Sequence, residues 1–259
     1  MKLSRRAFLV SSTALALTGS VGATESSEQF SRDSVIAMAR DLAAARYRAR
    51  PEVPQDWLNL TYEQYRSLWF RSADALWSGT DVPYAVDFFA PGLYFQRAVR
   101  VDTVTGGMAS PVPFDLEKFD KTDTFPDLAV DDTMGFSGFR LRTELTEPGK
   151  KNEFCVFQGA SYFRAIGFNQ IYGQSARGLA VRTGDPEGEE FPDFIRFWLE
   201  TPEPDQKSII VHALLDGPSV SGAFRFDITP GPACVMEVEA TLFAREELNH
   251  IGIGALTSM

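Results

Sequence analysis

Soft metal ligands are scarce in this chain, which has two histidines, His212 and His250, and two cysteines, Cys155 and Cys234, in 259 residues. That is too few for a closed zinc site unless carboxylates fill in, so no metal and no cofactor is expected. Positive charge is short as well, with 25 basic against 35 acidic residues and a formal charge of -10. A chain without excess cationic surface does not hold phosphate backbones, which argues against a nucleic-acid partner. No stretch can span a bilayer permanently; the one apolar run that invites the question, Ala7 to Leu17, is too short. Internal repeats and low-complexity segments are absent, and the length excludes a disulfide-stapled miniature. What is present is the balance of a chain that buries a core, 44% hydrophobic and 23% charged. Phenylalanine dominates the aromatics, 21 against seven tyrosines and four tryptophans, and 15 prolines with 20 glycines supply turns. That mixture points to β-structure rather than to a helical bundle.

Residues 1–23 read as an export signal: a basic start, a modest apolar run, and Val21-Gly22-Ala23 in the small-x-small cleavage pattern. Within it, Ser4-Arg5-Arg6-Ala7-Phe8-Leu9 resembles the twin-arginine consensus, with general secretory export as the alternative. The remainder is expected to be soluble outside the cytoplasm, in the periplasm of a cell with an outer membrane.

Residues 24–82 are predicted to be a helical segment packed on the main body. Val35, Ile36, Ala39, Leu42 and Ala43 keep helical spacing between Ser31 and Arg48, before Pro51 and Pro54. Thr61 and Gln64 form a capping-box signature that opens a second helix from Tyr62 to about Ala75. From residue 83 onward the period drops to two. Strands are predicted at 93–103, 136–145, 153–166, 171–183, 191–200, 207–215, 220–228 and 234–245. Asp216-Gly217-Pro218 is the turn of a hairpin. Long strands in this number imply a large antiparallel β-sandwich over residues 83–259. The apolar Ile251 to Ala255 run just before Leu256 to Met259 reads as an interrupted strand, so the sandwich is expected to be incomplete.

Two segments place tyrosine, arginine and glycine together: Gly159-Ala-Ser-Tyr-Phe-Arg164 and Tyr172-Gly-Gln-Ser-Ala-Arg177-Gly-Leu179. Aromatic faces stack on the C–H patches of a pyranose, and a planar multiple donor such as arginine serves its hydroxyls. Packing at a sandwich edge is the alternative. Glu189, Glu190 and Asp193 crowd near Phe194, Phe197 and Trp198. Paired carboxylates are what glycoside hydrolysis uses, while a solvated turn leading into a strand is the plainer account. His212 alternates with apolar neighbours and is expected to be a core or edge residue. Serine hydrolase chemistry at Gly217 to Gly222 is disfavoured because a strand, not a helix, follows. Cys155 and Cys234 allow one bridge or two separate thiols, and buried thiols are expected.

Gly159 to Arg164, Tyr172 to Ala180, Glu189 to Pro192, Phe197-Trp198, Ala213 to Asp216, Ser221 to Phe226, Leu256 to Met259 and, upstream, Met134 to Arg140 together resemble the periplasmic glucan biosynthesis protein G and D family. The motifs occur in family order and cover essentially the whole chain after the signal. The resemblance implies a galactose-mutarotase-like sandwich with a sugar-sized cleft. It also implies a role in making or shaping osmoregulated periplasmic glucans with a β-1,2-linked glucose backbone, β-glucan as ligand, and a membrane glucan synthase as a further partner. Tyr162, Arg164, Tyr172 and Arg177 match the family at the positions expected to contact sugar. Some D-branch members are inverting β-1,2-glucanases, so a glycoside hydrolase of that kind is the alternative. Their catalytic carboxylates lie beyond the position matching Met259, and none is carried over here. An inactive fragment is the remaining reading.

Overall fold

The computed structural model describes residues 27–257, so the expected signal at 1–23 lies outside the described residues. In chain order the elements are β1 (Glu28–Gln29), α1 (Arg32–Ala44), α2 (Gln55–Leu58), α3 (Tyr62–Arg66), β2 (Leu68–Phe70), β3 (Ala85–Phe89), β4 (Arg100–Thr105), β5 (Met108–Pro111), β6 (Phe119–Lys121), β7 (Gly138–Glu144), β8 (Lys151–Gln158) and β9 (Tyr162–Ala165), followed by β10 (Gln174–Arg177), β11 (Ala180–Val181), β12 (Asp193–Glu200), β13 (Ile209–Asp216), β14 (Val220–Thr229), β15 (Val235–Ala244), β16 (Ile251–Gly252) and β17 (Leu256–Thr257). Seven strands form one sheet in the order β1-β5-β4-β12-β13-β14-β15, and six form another in the order β17-β10-β9-β8-β7-β3. Pairing in both is antiparallel except between β4 and β12, where Arg196 lies opposite Arg100 in parallel register. The molecule is thus mainly β, with a sandwich-like arrangement and few helices.

Phenylalanine joins the sheets. Phe157 on β8 meets Phe197 on β12 and Phe226 on β14 edge-on, with ring centres 5.6 and 5.0 Å apart. Phe139 on β7 reaches Phe197 at 5.0 Å. Such tilted contacts add to the area each ring buries. The seven-stranded sheet is covered on its second face too. There Val35 and Ala39 of α1 pack on Trp198, Leu214 and Ala223, while Ile209, Val211, Ala213 and Leu215 face the inter-sheet core. Double coverage explains why β13 is one unbroken apolar run apart from His212 and Asp216, with all eight residues buried.

The helix α1 starts where its sequence says it should. Ser31 and Ser34 exchange the two bonds of a capping box, with Ser34 N–H donating to Ser31 Oγ at 3.1 Å. The second predicted helix needs correction. Its capping box forms between Thr61 and Gln64, but the helix stops at Arg66. Leu68, Trp69 and Phe70 pair instead with Lys121, Asp120 and Phe119 as a two-stranded ribbon. Aromatic residues favour an extended chain when a partner strand and a core are at hand, and Phe70 finds Phe88 and Phe119 at 5.5 and 5.1 Å.

The predicted strand 93–103 is corrected as well, because the strand begins only at Arg100, after a single bridge from Val99 to Phe136. Gly92 and Phe95 close a tight turn with reciprocal backbone bonds of 2.9 Å, and Leu93 adopts a left-handed φ of 52°. At Gly92 a Cβ would stand 2.8 Å from the Trp57 carbonyl oxygen, so only glycine fits. Conversely, β3 lies outside the predicted strands, and the charge of Asp87 interrupts its apolar run. Asp87 is fully buried and is held by Arg140 and Arg142 of β7 at 2.6 and 3.0 Å.

Candidate functional site

A cleft of about 400 Å³ opens where the β8–β9 turn of one sheet meets the start of β12 in the other. The two are tied together by the Phe194 N–H, which donates to the Ala160 carbonyl at 3.0 Å. Both turns that shape the cleft hold residues in left-handed backbone, Leu93 at 52° and Ala160 at 41°. Such conformations persist only where surrounding structure enforces them, and they collect at functional sites. Phe95, Phe157, Phe194 and Phe197 form an apolar floor. Tyr94, 76% exposed, and Phe191, 51% exposed, stand at the rim.

Polar groups are fixed around this floor. Arg50 donates to Asp193 at 3.1 Å and to the Ala98 carbonyl. Arg97 donates to the Arg50 carbonyl at 3.0 Å and to Glu52 at 2.7 Å. Gln158 donates to Ser137 Oγ at 2.9 Å, and Ser137 in turn donates to the Ala90 carbonyl at 2.9 Å. Tyr65 donates to the same carbonyl at 2.8 Å, and burial pushes its phenol up to about 12. The cleft therefore combines an aromatic surface with donors locked by neighbours, which suits a ligand with apolar faces and many hydroxyls.

Of the four residues singled out by sequence, the structure brings them together in pairs that cross the hairpin. On β9 and β10, Tyr162 lies directly opposite Arg177. The Arg177 guanidinium sits 5.6 Å from the Tyr162 ring centre and 5.7 Å from that of Phe191, and is ion-paired with Glu189. Arg164 covers the Tyr172 ring at 5.9 Å and donates to Glu153 at 3.1 Å. Each arginine thus stacks on the tyrosine of the other segment. Tyr162 lines the cleft and also a neighbouring groove of about 300 Å³ that contains Arg164 and Ser175. Tyr172 is 58% exposed beside Arg164.

The crowded carboxylates are each engaged. Glu190 is buried and accepts from the Ser219 N–H at 3.0 Å and from Arg182 at 3.3 Å. Glu189 takes Arg177 and Thr183, and the Arg177 hydrogen bond holds its carboxyl below the usual range. A general acid in glycoside hydrolysis needs the opposite shift. His212 is buried against α1's side of the sheet, bonded to Glu200 at 2.7 Å and edge-on to Phe30 at 5.0 Å. Cys155 and Cys234 are both free thiols, and burial raises both, Cys234 to about 11. Among the described residues no cluster of histidine, cysteine and carboxylates is arranged to hold a metal ion. Nor is any helix among them long and apolar enough to cross a membrane.

Sequence reasoning missed Arg50, Tyr94, Arg97 and Gln158. A signal for two of them was available: Gly92-Leu-Tyr-Phe-Gln-Arg97 repeats the glycine, tyrosine, phenylalanine and arginine content of Gly159 to Arg164. Reading it as the start of a strand concealed the likeness.

Comparison with known proteins gives one consistent answer. A family model described as "Periplasmic glucan biosynthesis protein, MdoG" matches residues 30–259. The chain is 43% identical over 231 residues to proteins named "Glucans biosynthesis protein G" from Shewanella putrefaciens and Vibrio cholerae, covering 89% of this chain and 42% of each relative. A Shewanella oneidensis protein, "Glucans biosynthesis protein G 1", is 42% identical over the same span. The chain therefore spans less than half the length of these curated relatives.

Proposed function

The chain belongs to the MdoG family of periplasmic glucan biosynthesis proteins, and from that premise we propose that it binds a glucan backbone in the cleft between Tyr94, Tyr162 and Phe191. The ligand is a β-1,2-linked glucose chain, and the place of action is the periplasm. One observation carries the reading. Exposed aromatic faces and arginines held by other groups converge on one cavity at the sandwich rim, although they come from segments far apart in sequence. Glucose rings stack on the aromatic faces, while Arg50 and Arg97 keep donors available to hydroxyls without a conformational cost at binding. Hydrolysis by the carboxylates of this chain finds no support in the site, because Asp193 and Glu189 both neutralise arginines. The chain acts as a binding unit, and any cleavage needs acids from elsewhere.

Titrating a β-1,2-gluco-oligosaccharide into the full chain tests this. Tyr94→Ala and Tyr162→Ala should each weaken binding roughly tenfold, the equivalent of about 1.4 kcal/mol for a lost stacking face. Tyr94→Ala should leave the melting temperature unchanged, since the side chain is exposed. Unaltered affinity in both variants would refute the assignment. New reducing ends released from soluble glucan would replace it with the hydrolase reading.

A further inference from the structure

Behind the wall of the cleft lies a second cavity, of about 280 Å³, formed by α3, β2, β3 and β6. Tyr65 lines the second cavity, and its ring lies 6.0 Å from Phe95, which lines the first. The floor is buried Phe70, Phe88 and Phe119, and the mouth carries Tyr62, Arg66, Trp69 and Arg140. Core formation accounts for the floor and not for the mouth. The β2–β6 ribbon turns Phe70 inward and leaves Trp69 48% exposed, and α3 leaves Tyr62 59% exposed. Two large rings held outward on a capped helical turn and a short paired strand mark a contact surface. The Arg66 guanidinium lies 5.9 Å from the Tyr62 ring centre and only loosely pairs with Glu63, at 4.0 Å. Arg140 is anchored on buried Asp87 at 2.6 Å and remains partly exposed. No carboxylate is among the residues lining this cavity, so its polar rim donates and does not accept charge.

We infer that this cavity is a second saccharide site, which holds a sugar ring of the same neutral glucan by stacking on Trp69 and Tyr62 with Arg66 and Arg140 donating to its hydroxyls. The inference rests on the glucan-binding reading of the first cleft. A pyranose supplies both an apolar face and a rim of acceptors, the complement of what the cavity offers. A cationic ligand would face two guanidinium groups, and a purely apolar one would make no use of the exposed Arg66 head group. Two sites on either side of one wall raise the effective concentration of a long chain at each, so the affinity for polymer exceeds that for short oligomers.

Calorimetric titration of the full chain with a short β-1,2-gluco-oligosaccharide is the test, with melting temperatures measured in parallel. The wild type should take up two ligands, Trp69→Ala and Tyr62→Ala one each, and Tyr94→Ala two, one of them bound about tenfold more weakly. Trp69→Phe, which keeps a stacking face, should restore the second. If Trp69→Ala and Tyr62→Ala fold normally and still take up the wild-type number, the second site is refuted and the cleft stands. If the wild type binds one ligand and Tyr94→Ala weakens it about tenfold, the same conclusion follows. If the wild type binds none, the reading of the cleft fails first.

Discussion

Strand β13 and the β9–β10 hairpin are built on opposite principles. All eight residues of β13 are buried, and its place is set by apolar area removed from water on both faces. Every residue of β9 is half-buried, and the hairpin is held by a tyrosine–arginine pair across the strands, an ion pair to Glu189 and close backbone approaches at glycine. The first arrangement tolerates little change in volume but asks nothing special of turns. The second can vary in composition only where its geometry permits. A scaffold of the first kind therefore carries a candidate site of the second kind, and the two should fail differently when altered.

The largest effect is expected in the core. Phe157 is fully buried and joins both sheets through Phe197 and Phe226. Phe157→Ala should destabilise the fold by about 3–5 kcal/mol, transfer and cavity losses together. Denaturant unfolding measures it, and a loss below about 1 kcal/mol would mean that the sheets are not joined at this ring. Phe157 also floors the cleft, so binding per folded molecule should fall as well.

An intermediate effect is expected at Gly173. A Cβ there would stand 1.9 Å from the Ala165 carbonyl oxygen, closer than any real contact, so the backbone must move. Gly173→Ala should cost about 1–3 kcal/mol, the range for overpacking, and that cost should be local. Amide exchange from Gln174 to Arg177 should quicken while β13 keeps its protection. Equal acceleration in both regions would show that hairpin and core open as one unit.

The same contrast explains what could be read from sequence. The β13–β14 hairpin was legible because an apolar run, Asp216-Gly217-Pro218 and a second run are all local, and Leu215 does pair with Gly222 across it. The start of α1 was legible from Ser31 for the same reason. Leu68 to Phe70 were misassigned because their strand partner, Phe119 to Lys121, lies about 50 residues away and overrides a helical stripe. The Tyr and Arg clusters were visible as compositions, but their pairing was not, since Tyr162 finds Arg177 only once the register is known. The contact of Arg50 with Asp193 spans 143 positions and has no local signature at all.

The smallest effect, and the sharpest separation of the two regions, lies in their response to acid. Arg177 holds the Glu189 carboxyl below its ordinary value of 4.5, with Thr183 helping. A carboxyl lowered on folding contributes stability that is complete above the unfolded value and is lost as pH falls through the folded one. The ion pair is partly buried but still reached by water, so its share is about 1 kcal/mol. Glu189→Gln keeps the shape and the Thr183 contact but cannot titrate. Its stability relative to wild type should be lower at pH 6, and the gap should shrink as pH drops below 4.5 toward 3. Phe157→Ala, which removes no charge, should show a gap to wild type that stays constant over that interval. Denaturant unfolding of the three proteins at both pH values checks this, and a gap for Glu189→Gln that is the same at pH 6 and pH 3 would mean that the Arg177–Glu189 pair contributes nothing to holding the hairpin in place.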